Sequence, residues 1–479
     1  MHFNYPSRFR FILLLLVILG LLVGILIWSG SHKNSDTFLR DIKSFRLLSE
    51  FSERGARFIG NSPDNYSQLL ESHFPKKDKL DVVSLSGNVA SLTISNSNLY
   101  GARHGLLSNA TKKGLAWERP GLFTFYHDGE LVFQSRVGVR IHGGEYSRRV
   151  DSDSLGFRLY FRPGFGSDNI SAAKVWPEVP GSISSMVMKI STNNLRNAMN
   201  MEISRRAGAM APHVAPAQFF MNGQAWHQDT VLLMEHISRD FLDKHYGHSD
   251  FVFHRYKNDD TKYSPGPYLD LLTQLKDRQS RLTFSELAQE VDVNTLFAQY
   301  ATNMLAEIYD SFQGGILLDK RTVNAKWTFV SWDMEGGFRS SWGCQMTVDQ
   351  CPENMKGYFK HLGNKWGLLR ESIWQRFRSD DEFRRAFTHY LAQLFRHQIT
   401  DKWITDLTKH YRKIAQSNGL DYEGNHKYGL ASFSASEQFL IQQKQEILAL
   451  IKSEWKIDIE AIPNDELIAE PYLSKPNVE

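Results

Sequence analysis

The chain has 479 residues, with 56 Lys and Arg against 53 Asp and Glu, so the formal charge is only +3. Hydrophobic residues at 42% and charged residues at 23% are ordinary for a folded globular protein and argue against a disordered tail protein or a polybasic nucleic-acid binder. Two cysteines exclude a disulfide scaffold or a cysteine-rich zinc module, and a mean hydropathy of -0.39 excludes a polytopic membrane protein.

Residues 11–28 form an uncharged apolar run preceded by Arg8 and Arg10 and closed by Trp28. As a helix it would span about 27 Å at roughly 1.5 Å per residue, close to a bilayer core. The positive-inside rule then predicts a single-pass protein with a cytoplasmic N-terminus and its bulk periplasmic or extracellular. A cleaved signal peptide fits less well, because the run is long and Ser29-Gly30-Ser31 is a poor cleavage site. Residues 1–30 thus read as a stub and transmembrane anchor, and residues 31–79 as a polar stalk.

Strand-like texture begins near Leu80. Residues 82–86 and 90–94 partly alternate, and 123–126 and 131–133 flank Asp128-Gly129 as a β-hairpin. We read 80–135 as a β-rich extension. Residues 137–144 predict a strand ending in Gly143 and Gly144, and 156–162 alternate apolar with basic residues. A strand at 185–190 carries Lys189, and 195–207 has helical spacing that Gly208 stops. Strands at 216–221 and 230–234 follow, with Asn222-Gly223 as a turn between them. Helices are expected at 284–288 and 294–309, a strand pair at 315–318 and 326–330, and helices at 381–407 and 436–455. Strands first and helices second make an α+β chain with a cleft where the parts meet. In an oxidising compartment Cys344 and Cys351 could close a small disulfide loop, the alternative being two unpaired thiols.

No zinc-protease, Walker A, nucleophile-elbow or dinucleotide motif occurs. His245 and His248, three apart beside Tyr246 and Gly247, are a weak metal pattern. One ordered constellation says more. A glycine pair (Gly143, Gly144) precedes a strand lysine (Lys189), and a helix acid (Glu202) follows 13 residues later. Glu235-His236-Ile237 ends a strand, and Asp310 and Asp333 stand 23 residues apart. This is the part order of a protein kinase. A strand lysine neutralises phosphate oxygens, a helix carboxylate steadies it, one Asp orients the acceptor hydroxyl, and another holds Mg²⁺, which favours hard oxygen ligands.

At these residues the chain resembles the spore coat protein H (CotH) kinase family of atypical protein kinases. The resemblance runs from about residue 80 to 345. It includes Gly138-Val139-Arg140-Ile141-His142-Gly143-Gly144, Tyr146-Ser147-Arg148-Arg149, Leu195-Arg196-Asn197-Ala198, Met234-Glu235-His236-Ile237 and Trp332-Asp333-Met334-Glu335. It implies a two-lobed, protein-kinase-like fold for residues 136–479, binding ATP with Mg²⁺ or Mn²⁺ and phosphorylating serines of a protein. By that likeness Asp310 is the catalytic Asp, and Asp333, with Gln313 or Glu335, holds metal. Lys189 contacts phosphates, while Glu235 and Ile237 face the nucleotide base or shape that end of the cleft. Glu202 as lysine partner follows only from the general kinase order.

Two departures stand out. Gly315 replaces the metal-ligand Asn expected five residues after Asp310, and Ser154-Leu155-Gly156 replaces a lysine-bearing run, for which Arg148 or Arg149 would compensate. The leading expectation is a membrane-anchored, exported kinase acting on an envelope or surface protein, with lipid contact through 11–28 and no nucleic-acid partner. The alternative is a catalytically degenerate domain serving as an anchored structural or binding component of the envelope.

Overall fold

The alternating segments of the first half form strands that close on themselves. The computed structural model describes residues 87–143, 155–165, 169–190, 194–225, 231–255, 266–277, 280–308, 315–321, 325–338, 369–417 and 433–463. The chain divides into two units, residues 1–74 and 75–479, and every described residue belongs to the second. The expected anchor, the stalk, Cys344 and Cys351 lie outside the described residues, among which no helix is long and apolar enough to cross a membrane.

In chain order come β1 (Asn88–Thr93), a short α1 (Asn96–Tyr100), β2 (Arg119–His127), β3 (Glu130–His142), β4 (Gly156–Tyr160), β5 (Ile170–Ser171), β6 (Ser182–Ile183) and β7 (Ser185–Ile190). Helix α2 (Asn194–Arg206) leads to β8 (Val214–Met221), β9 (Gln224–Ala225) and β10 (Val231–Glu235). The sheet order is β1-β2-β3-β4-β7-β10-β8-β9, and a parallel β1–β8 pairing joins its two sides into a barrel. Every other neighbouring pair is antiparallel. The hairpin expected at Asp128-Gly129 is present, with both residues at positive φ, 48° and 81°. The strand expected from 137 is the far half of the same long β3. At the seam Asn222 accepts from Ile94 N–H (2.8 Å) and donates its own N–H to Leu92 (3.0 Å).

Period-two alternation gives the barrel two faces. Val139, Ile141, Phe157, Leu159, Met186, Met188, Val231 and Leu233 fill its interior. Their neighbours Val187, Leu232 and Met234 face outward and pack against α2 and the helical half. Closure removes the open strand edges that would otherwise invite aggregation.

The second half comprises α3 (Arg239–Tyr246), β11 (Phe251–Arg255), α4 (Gly266–Lys276), α5 (Phe284–Glu290), α6 (Val293–Ala306), β12 (Gly315–Asp319) and β13 (Thr328–Val330). Four helices follow: α7 (Leu369–Phe377), α8 (Asp381–Gln393), α9 (Asp401–Ser417) and α10 (Phe433–Trp455). β11, β12 and β13 form a small antiparallel sheet. The single helix expected over 381–407 is two: a π-helical turn at Leu394–Gln398 ends α8, and Thr400 Oγ accepts from Trp403 N–H to start α9.

Aromatic rings hold this half together. Phe297 is fully buried, with ring centroids 5.1 Å from Phe387 and 5.6 Å from both Phe383 and Tyr390. Phe297→Ala is expected to cost about 3–5 kcal/mol in denaturant unfolding, because a closely packed ring leaves a cavity that its neighbours cannot fill.

Candidate active site

Lys189 is the penultimate residue of β7, and inward-facing Met188 and Ile190 turn it to the outer face of the barrel. Helix α2 follows at once, and Asn194 Nδ2 donates to the Lys189 carbonyl (3.0 Å). One stripe of α2 is polar yet buried: Asn194, Asn197, Asn200 and Ser204. Spacings of three and four residues place these side chains on one face. That face grips the segment after β13. Asn197 Oδ1 accepts from Met334 N–H (3.1 Å), Asn200 Nδ2 donates to Met334 C=O (2.7 Å), and the hydroxyls of Ser204 and Ser331 are 2.6 Å apart.

Asp333, held by that grip, has left-handed backbone (φ 58°). Its carboxylate is ion-paired with Lys189, and Glu335 reaches the same ammonium at 3.2 Å. All three side chains are half-buried, at 14%, 15% and 20% exposure, so water reaches the group only in part. The next turn is wedged against α6. A Cβ on Gly337 would meet Asn200 Nδ2 at 2.7 Å and the Ala306 carbonyl at 2.9 Å, and Phe338 N–H donates to Ala306 (2.7 Å). Only glycine allows so close an approach.

The expected site residues fare differently. Lys189, Asp333 and Glu335 come together. Asp310 and Gln313 lie outside the described residues; α6, which leads towards them, ends at Ala306 beside this turn. Gly144 and Arg148 also lie outside. Gly143 closes β3 at φ 119°. Glu202 does not hold Lys189. It lies off the buried stripe and pairs with Arg205, while Asp333 and Glu335 occupy the ammonium instead.

Glu235 is turned from the cleft by strand parity. Lys189 pairs with Leu232 and both face outward, whereas Glu235 pairs with inward-facing Met186. Its carboxylate meets His213, Lys244 and His245. Burial alone would raise its pKa, but hydrogen bonds from His213 and His245 and the charge of Lys244 hold it well below the usual carboxylate range. Ile237 lines a cavity of about 400 Å³ with Ser238, Arg239, Leu242 and Phe251.

Sequence reasoning missed two features. The first is the asparagine stripe, whose signal is three weak helix formers at intervals of three. The second is a basic wall. Arg140 on β3 lies opposite Arg158 on β4, which in turn lies opposite Val187 on β7, beside the lysine strand. Arg158 donates to His142 Nδ1 (3.1 Å), and His142 stands edge-on to Trp332 with centroids 6.1 Å apart. Buried Glu118 faces Arg162 (3.4 Å) and Arg140 (3.9 Å). Burial raises its pKa despite the arginines. The partial alternation of apolar and basic residues in 156–162, with Arg158 and Arg162, was its signal in the sequence.

Chemically, two carboxylates already converge on one cation, the Lys189 ammonium. Hard oxygen donors so placed fit a divalent ion such as Mg²⁺ or Mn²⁺. Lys189 and Arg158, on one face of the sheet, suit phosphate oxygens.

Comparison with known proteins identifies the family. The family model described as CotH kinase protein matches residues 140–447. Among solved structures, the Helicobacter pylori proinflammatory kinase CtkA is 9% identical, with 68% of this chain and 97% of that chain covered at a TM-score of 0.32. The Shewanella oneidensis HipA–HipB–operator DNA complex is also 9% identical, with 69% of each chain covered at a TM-score of 0.27. No curated protein matches. The family match spans well over half of the sequence, from the second half of β3 into α10, and the chain belongs to the CotH kinase protein family.

Proposed function

We propose that the chain is a membrane-anchored, exported kinase with a two-lobed kinase-like fold. It transfers the γ-phosphoryl of ATP to serine hydroxyls of an envelope or surface protein. The observation that carries the reading is the meeting of Lys189 with Asp333 and Glu335 at the end of β7. Asp333 and Glu335 hold Mg²⁺ or Mn²⁺, which when bound neutralises phosphate charge. Lys189, released from the carboxylates, braces phosphate oxygens. Arg158 lies on the same sheet face and adds positive charge where the lysine-bearing run is missing. Asp310 orients the acceptor hydroxyl and takes its proton. Residues 11–28 fix the enzyme to the bilayer.

One observation favours a non-catalytic reading. Gly315 opens β12 and is paired with both Arg255 and Val330, so a sheet residue stands where an amide ligand is expected. Incubating the full chain in detergent with γ-labelled ATP, Mn²⁺ and an envelope protein fraction separates the two. Label on serine, absent without Mn²⁺, is expected. Metal-dependent ATP binding without label would overturn transfer and favour an anchored binding component.

A further inference from the structure

On the opposite face of the sheet from Lys189, three potential ligands come from three elements: His213 just before β8, Glu235 at the end of β10, and His245 in the last turn of α3. We propose that His213, Glu235 and His245 form a site for a zinc-class dication, distinct from the carboxylate site at Asp333. One ligand atom from each residue lies within 4.8 Å of the other two. His213 Nδ1 is 2.8 Å and His245 Nε2 is 3.3 Å from the same carboxylate oxygen, Glu235 Oε2. The two imidazoles are stacked, centroids 5.8 Å apart and planes within 8°, so they point nitrogens at that oxygen side by side.

The surroundings are those of a held ligand set. Glu235 is 1% exposed, and Lys244 Nζ binds its other oxygen at 2.8 Å, so Oε2 is the oxygen turned to both imidazoles. His213 N–H donates to Oε2 (3.0 Å) and fixes the carboxylate against its own ring. Glu178 Oε1 lies 3.9 Å from His213 Nε2, where an outer carboxylate steadies a metal-bound imidazole. Phe241 packs on the His245 ring at 4.2 Å. The histidines keep 17% and 22% exposure, which leaves room for a water ligand. Two imidazoles and one carboxylate suit zinc and its neighbours, whereas Mg²⁺ prefers oxygen ligands. His248, three residues on, is no member: it pairs with Asp319 at 3.0 Å.

Each ring would bind through a lone pair: His213 through Nδ1, with its proton on Nε2 facing Glu178, and His245 through Nε2, with its proton on Nδ1. The ion then ties α3 to the end of the barrel. The same helix is already tied by Asp240, which accepts from Ser184 N–H at 2.6 Å.

The test uses the full chain in detergent, without a histidine tag, stripped with chelator. Zn²⁺ is titrated against a chromophoric competitor and then examined by X-ray absorption. One equivalent should bind with a shell of two imidazole nitrogens and one or more oxygens at about 2.0–2.1 Å. His245→Ala should weaken it by about 100-fold or more. Asp333→Asn should leave it unchanged, so the two sites can fail separately. No stoichiometric zinc, a sulfur-containing shell, or equal retention in the His213→Ala/His245→Ala variant would overturn the assignment.

Discussion

Lys189→Met is expected to destabilise the protein by roughly 1–3 kcal/mol and to lower phosphotransfer by at least about 10²-fold. Methionine keeps an apolar stem in β7 but removes the only ammonium between Asp333 and Glu335 among the described residues. A fully buried pair broken on one side costs about 3–5 kcal/mol. The partial exposure of this group lowers the figure. The same substitution makes a second, opposite prediction. With the ammonium gone, Mg²⁺ or Mn²⁺ alone should raise the thermal midpoint of the variant more than that of the parent, because nothing competes for the carboxylates. Thermal unfolding with and without metal checks both effects. A variant as stable as the parent and indifferent to metal would contradict the role of the carboxylates.

Asn200→Ala and Asn197→Ala are expected to cost about 1–3 kcal/mol each, because each leaves a buried peptide group of Met334 without its partner. They should also cut transfer, since Asp333 precedes that residue and owes its position to the grip. Aspartate substitutions sharpen the test. Asn197 uses its oxygen, so Asn197→Asp keeps an acceptor for Met334 N–H. Asn200 uses its amide nitrogen, so Asn200→Asp sets oxygen against the Met334 carbonyl. Both bury a charge, and the excess loss in Asn200→Asp reports the hydrogen bond itself. The two alanine effects should be non-additive, as expected of groups gripping one residue. Denaturant midpoints of the four single variants and of the Asn197→Ala/Asn200→Ala double variant decide this.

Local patterns foretold much of this arrangement. The strands at 137–141 and 185–190 were legible as strands, but that their parity turns Lys189 outward is seen only in the structure. The Asp128-Gly129 turn and the change from strands to helices were likewise legible. What was hidden depends on partners far apart in sequence. No local feature announces that β1 pairs with β8, across 129 positions from Val89 to Gln218, to close the barrel. Glu202 misled because a helix carboxylate of suitable order need not lie on the suitable face. Glu235 misled through parity: three residues beyond Leu232, it points to the other side of the sheet. The His213–His245 pairing is 32 residues long in sequence and is made only by the meeting of α3 with β8 and β10.

The central claim is that Lys189, Asp333 and Glu335 form a metal–nucleotide site. Equilibrium binding of Mn²⁺–ATP to the parent chain and to Asp333→Asn tests it most directly. Asparagine tolerates the left-handed backbone at this position, so the substitution removes charge with little strain. The account predicts saturable Mn²⁺–ATP binding by the parent that weakens at least about tenfold in Asp333→Asn, equivalent to about 1.4 kcal/mol. Equal affinity in the two proteins would contradict it.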